Sequence, residues 1–160
     1  MIHLVLVEPE IPQNTGNIAR SCALTGAKLH LVRPLGFSLE EKQLKRAGLD
    51  YWDKVELEVH DSIDAFLALY GDKNLYLITT KASTSLYEHA FQEEVFFLFG
   101  KETAGLSQEL HEAYPENRLR IPMMQREGLR SLNLSNAAAV VLYEALRQRK
   151  FQGNFIISEK

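Results

Sequence analysis

The chain predicts a single α/β domain, residues 1–160, with a mostly parallel central sheet flanked by helices. Three observations carry this reading. Apolar runs too continuous for a half-exposed strand occur at 2–7 and 95–99. Stretches with helical three- and four-residue apolar spacing alternate with such runs. At 160 residues, 46% hydrophobic and 24% charged, the composition suits one packed core with a charged surface.

Each element follows in order. Residues 2–7 (Ile-His-Leu-Val-Leu-Val) read as a buried strand. Residues 8–17 read as a loop closed by Pro9 and Pro12, whose fixed φ keeps the segment extended. A helix over about 17–25 follows, ended by Gly26 in the left-handed position. Residues 28–32 form the next strand, so the order strand–helix–strand already implies parallel pairing. Ser38 with Glu41 makes a capping box for a short helix to about Arg46. A strand is expected at 55–59, a helix at 63–69 and a strand at 75–79, and Ser85 with Glu88 makes a second capping box. The run Val95-Phe96-Phe97-Leu98-Phe99 is the central strand. A glycine-bounded loop (100–106), a helix (107–114) and a short strand (119–121) stopped by Pro122 come next. Leu134, Ala138, Val141, Leu142, Ala145 and Leu146 then repeat at helical spacing, with Asn133 and Ser135 both able to cap that helix. The tail, 151–160, fits either a docked strand of chain or a contact with a second subunit.

Several function classes are excluded or demoted. One cysteine, Cys22, leaves no internal disulfide and no cysteine-cluster metal site, and it reads as a small buried side chain. No apolar run is long enough for a bilayer, and the chain opens without a basic segment leading into a hydrophobic signal, so a cytoplasmic protein with no membrane partner is expected. The net charge of −3 does not advertise nucleic-acid binding. Three basic clusters (Lys42, Lys45, Arg46; Arg118, Arg120, Arg126, Arg130; Arg147, Arg149, Lys150) each read as solvated surface, and make a phosphate patch only if the fold or a dimer gathers them. No nucleotide-phosphate motif is present. No two of His3, His30, His60, His89 and His111 have metal-ligand spacing, so no metal is expected and the five read as surface or packing residues.

Ligands of open α/β sheets bind at the carboxyl ends of strands. Three loops qualify: 78–80, 99–106 and 121–130, bringing Thr79, Gly100, Glu102, Gly105, Ile121 and Met123. The polar start of the last helix, with Arg130 just upstream, suits a polar ligand, although an ordinary capped core helix explains the same residues. Asn14, Asn17 and Arg20 recur every three residues. Asn17 and Arg20 therefore share a helix face, suited to a phosphate or a developing oxyanion, or alternatively are a cap and a solvated cation.

Four stretches together resemble the SPOUT superfamily of trefoil-knotted, S-adenosylmethionine-dependent RNA methyltransferases. They are Asn14-Thr15-Gly16-Asn17-Ile18-Ala19-Arg20, Phe99-Gly100-Lys101-Glu102-Thr103-Ala104-Gly105-Leu106, Ile121-Pro122-Met123 and Arg130-Ser131-Leu132-Asn133-Leu134-Ser135-Asn136-Ala137, in the superfamily's order and covering nearly the whole chain. The opening Leu-Val-Glu-Pro-Glu-Ile-Pro-Gln-Asn, Arg33-Pro34-Leu35-Gly36-Phe37 and Arg46-Ala47-Gly48-Leu49-Asp50-Tyr51 resemble its minimal branch, which methylates the ribose 2′-oxygen of the wobble nucleotide (position 34, cytidine or modified uridine) of leucine tRNAs. The resemblance implies a deep C-terminal knot, a homodimer binding the anticodon region of tRNA, and S-adenosylmethionine as methyl donor, leaving as S-adenosylhomocysteine. It implies a donor site at Ile78, Thr79, Gly100, Glu102, Ile121, Met123, Ser131 and Leu132, with Glu102 and Asn133 supporting the loops, and a catalytic role for Arg20 aided by Asn17. A non-catalytic RNA- or nucleotide-binding module of the same fold class, or a small-molecule methyltransferase, is the competing reading.

Overall fold

The computed structural model describes residues 1–40 and 51–156. All but the first three residues of the expected helix from Ser38 to Arg46, the first basic cluster and most of the Arg46–Tyr51 stretch lie outside these residues.

The strands are β1 (Ile2–Val7), β2 (Lys28–Val32), β3 (Glu56–His60), β4 (Leu75–Ile78), β5 (Thr84–Ser85), β6 (Val95–Phe99) and β7 (Arg118–Arg120). They form one sheet in the order β3-β2-β1-β6-β4-β7-β5, and every pairing is parallel. The α-helices among the described residues are α1 (Pro12–Thr25), α2 (Ile63–Tyr70), α3 (Gln108–Ala113) and α4 (Leu134–Gln148).

Side chains alternate along each strand, and both faces are apolar because both are covered. Ile2, Leu4 and Leu6 of β1 and Val95, Phe97 and Phe99 of β6 pack under α1 and α4, against Ile18, Cys22, Val141 and Leu142. Val5, Val7, Phe96 and Leu98 face the other way, against Phe66 of α2 and Leu110 of α3. This is why β1 and β6 read as unbroken apolar runs: no residue of either is exposed. Burial pushes the Cys22 thiol up to about 12, so it is an inert core side chain.

Two elements differ from the sequence reading by more than a residue at an end. α1 begins at Pro12, not near Asn17. Pro12 is the first helical residue, where its missing N–H costs nothing, so the second proline opens the helix instead of extending the loop. The Ser85–Glu88 capping box forms only one turn of 3-10 helix, Leu86–Glu88, with the Ser85 hydroxyl accepting from the Tyr87 N–H, and β5 just before it, two residues long, had no detectable pattern. The end of α1 is as expected. Gly26 is left-handed at φ 72°, and Ser62 and Ser107 cap α2 and α3. Asn133, not Ser135, caps α4. In the tail, Phe151 and Phe155 pack on the core while Ile156 is exposed. Among the described residues no helix is long and apolar enough to cross a membrane.

Candidate functional site

A cavity of about 490 Å³ opens where the loops after β4, β6 and β7 meet the start of α4. Ile78, Thr79, Gly100, Glu102, Ile121, Met123, Ser131 and Leu132 all line it. Ile11 and Asn14 of the α1 entrance line it too, as do Lys81, Lys101, Arg120, Arg130 and His111. The volume lies in the range of small-ligand sites, and the wall mixes apolar side chains with a few polar groups, as such sites do. The sequence flagged Arg120 and Arg130 as one charge cluster, and the fold brings both to this rim with Lys81 and Lys101. The cluster at 147–150 lies elsewhere. Arg147 makes a two-pronged ion pair with Glu144 (2.7 and 2.9 Å), and Arg149 donates to the carbonyls of Gln92 and Glu93.

Three segments distant in sequence are tied together at the cavity by one polar chain. The Glu102 carboxylate accepts from the backbone N–H groups of Glu10 (2.8 Å) and Ile11 (3.0 Å) and from the Asn14 amide (3.2 Å). It therefore satisfies donors at the free start of α1, where the helix dipole favours a negative charge. The Asn14 carbonyl oxygen accepts from the Asn133 amide (3.1 Å). The Asn133 oxygen in turn accepts from the N–H groups of Ser135 (2.9 Å) and Asn136 (3.3 Å), closing the first turn of α4. A second clasp runs the other way. The Glu10 carboxylate accepts from the Thr103 hydroxyl (2.6 Å) and N–H (3.2 Å), and these bonds hold it below the usual carboxylate range. Lys101 adds an ion pair to Glu8 at 3.2 Å.

Glycine at 100 is demanded by the packing of its own loop. A Cβ there would lie 2.0 Å from the Gly105 carbonyl carbon and 2.2 Å from the Leu106 nitrogen. The close approach is thus between the two ends of the 100–106 loop, pinched by the Lys101–Gly105 bridge. Gly36 plays the same part under the Glu10 loop, with Glu10 backbone atoms 2.5 Å from its would-be Cβ.

Asn17 and Arg20 are not in the cavity wall. Both are exposed on α1, and the Arg20 guanidinium carbon sits 4.9 Å from the Tyr51 ring centre. Arg20 lies six residues beyond Asn14, about 9 Å along the helix axis.

Of the histidines, His3, His30 and His60 are packing residues, one of the two readings the sequence left open, and they do not pack singly. Each is buried, and they form a ladder across β1, β2 and β3: His3 Nδ1 to His30 Nε2 at 2.9 Å, and His30 Nδ1 to His60 Nε2 at 3.0 Å. They come from three strands, so no spacing in the sequence records the contact. Burial lowers His3 to about 4 and His30 to about 3, keeping the imidazoles neutral.

With this geometry in place, the chain can be set beside known proteins. Residues 1–143 match the model of the SpoU rRNA Methylase family. The tRNA (cytidine(34)-2'-O)-methyltransferase of Methylovorus glucosotrophus (strain SIP3-4) is 54% identical over 154 residues, 96% of this chain and 99% of that protein. A structure solved in work on the 2-OH methylation of C/U34 on tRNA superposes with a TM-score of 0.85 at 48% identity, covering 95% of this chain and 98% of that one. The SpoU methyltransferase AviRb from Streptomyces viridochromogenes, solved with AdoMet, gives a TM-score of 0.77 at 25% identity, covering 93% of this chain and 60% of that one.

Proposed function

Since the chain belongs to the SpoU rRNA methylase family, we propose that it methylates the ribose 2′-oxygen of the wobble nucleotide, position 34, in leucine tRNAs, with cytidine or a modified uridine as the base and S-adenosylmethionine as donor. The observation that carries this is the convergence of the strand-end loops and the start of α4 on one cavity.

The cavity fits the donor's chemistry. S-adenosylmethionine supplies an electrophilic methyl group on a sulfonium whose departure leaves a neutral thioether. Such a molecule needs an apolar slot and directional backbone contacts instead of a phosphate cradle. Ile78, Ile121, Met123 and Leu132 supply the slot, with Thr79, Gly100 and Ser131 at its polar edge. Glu102 keeps the 100–106 loop closed on α1, and so shapes the site chiefly through the loop. The main difficulties left to the protein are alignment, which can be worth roughly 7–11 kcal/mol of barrier, and the weak acidity of the ribose hydroxyl.

Arg20 answers the second difficulty. Its guanidinium presents a planar fork of N–H donors, so it stabilises the forming alkoxide or holds the neighbouring phosphate, with Asn17 orienting it. Its distance along α1 from the cavity makes its reach the point to test. The same reading includes a homodimer, supported by exposed Leu24 on α1 and Tyr143 on α4. It also includes a cytoplasmic setting and a C-terminal knot, the latter supported by the segment after β7 lining the same cavity as the 100–106 loop.

The test is to incubate the protein with labelled donor and bulk tRNA and to map the modified ribose. Label at the 2′-oxygen of position 34 of leucine tRNAs is the expected result. S-adenosylhomocysteine raises the Tm under this reading and leaves it unchanged for a non-catalytic binding module. Arg20→Ala abolishes transfer while keeping the Tm shift, and wild-type turnover in that variant rules out the role of Arg20.

A further inference from the structure

On the opposite half of the sheet from the cavity, the histidine ladder runs past Glu58. We propose that His30, Glu58 and His60 form a binding site for a divalent transition-metal ion, with Zn²⁺ the best match.

The three donors come from neighbouring strands, β2 and β3, and their ligand atoms lie within 4.8 Å of one another. His30 Nδ1 and His60 Nε2 are 3.0 Å apart, His60 Nε2 and Glu58 Oε1 3.6 Å, and His30 Nδ1 and Glu58 Oε2 4.0 Å. Bonds of about 2.0–2.1 Å in a tetrahedral site put ligand atoms about 3.3 Å apart, so the observed separations straddle the required one. Two imidazoles and a carboxylate, with a solvent molecule as fourth ligand, make a donor set suited to Zn²⁺.

The surroundings complete the case. A histidine bound through Nδ1 keeps its proton on Nε2, and His30 Nε2 faces His3 Nδ1 at 2.9 Å, ready to donate to it. His3 then holds its own proton on Nε2, which otherwise has no partner and points at Glu94, 3.7 Å away. The Tyr70 hydroxyl holds the Glu58 carboxylate at 3.1 and 3.0 Å. His60 needs only to move its proton from Nε2 to Nδ1, so the neutral ladder takes up the ion without net proton release. Both imidazoles are buried, while Glu58 is partly exposed and gives the route in. One group opposes binding: Lys28 Nζ lies 2.8 Å from Glu58 Oε2. Lys28 also lies 3.5 Å from Glu56, the other acid on this edge.

Full-length protein, stripped with chelator at pH 8, is titrated with Co²⁺ and, separately, Zn²⁺. Co²⁺ gives the intense visible bands of a four-coordinate ion, and Zn²⁺ raises the Tm by several degrees. Glu58→Gln and His60→Gln lose both effects, yet keep the Tm shift caused by S-adenosylhomocysteine. Tyr70→Phe, which preserves all three ligands, weakens binding roughly 10- to 100-fold, and Lys28→Met strengthens it. If His60→Gln does not fold, Glu58→Gln and Tyr70→Phe still decide the matter. Bands absent from the wild-type protein, or retained in Glu58→Gln, overturn the proposal.

Discussion

Two polar clusters are built into this sheet, and they are made in opposite ways. The clasp at the cavity joins Glu102, Asn14 and Asn133, residues 88 and 119 positions apart, through side chains reaching backbone N–H groups at helix starts. The histidine ladder joins neighbouring strands side chain to side chain, inside an aromatic wall of Phe66, Tyr70 and Phe96. The clasp holds loops, so losing it should deform a binding site. The ladder holds a packed face, so losing it should cost stability and leave the cavity alone.

The largest expected effect separates the two at once. His30 is fully buried, and His30→Leu leaves His3 Nδ1 and His60 Nε2 without their partner. Denaturant unfolding of metal-free protein should show a loss of about 2–4 kcal/mol, while the Tm increment from S-adenosylhomocysteine persists. A lost increment would mean that the two clusters are coupled. Next, Glu102→Ala removes the acceptor for two backbone N–H groups and one amide. It should lower stability by about 2–3 kcal/mol and erase the same increment, the reverse of the His30 result.

A finer cut uses Asn133→Ser. Serine still caps α4 but cannot donate to Asn14, so stability should fall by only about 0.5–1 kcal/mol. Donor affinity, measured by calorimetry, should fall more than capping alone explains. The smallest effect is one of acidity. The Thr103 bonds hold Glu10 below its ordinary 4.5, so the clasp is intact above that value and is released as pH falls through the depressed one. Affinity for S-adenosylhomocysteine should drop over that acid range, and Glu10→Gln should flatten the profile.

The comparison also explains what the sequence could disclose. Strands β1 and β6 were legible because a parallel sheet covered on both faces leaves an unmistakable apolar run. The start of α1 was misjudged because a proline serves equally to extend a loop and to open a helix, and the choice depends on the tertiary setting of the 8–11 segment. The residues lining the cavity were recognisable from their places at strand ends and from the motifs they belong to. Taken singly, Thr79 or Ser131 carries no signal. The ladder was invisible for a geometric reason. Its members are 27 and 30 positions apart, and strand register, which no local pattern records, makes them neighbours.

The bond between Asn14 and Asn133 has a consequence in time. The first of these residues leaves the ribosome long before the second is translated, and α1 with β1 is already available to fold. Yet Asn14 has no partner on α4 until that last helix emerges and docks. The nascent chain therefore carries a half-made pocket until then, and ability to capture the donor should switch on only once α4 has docked.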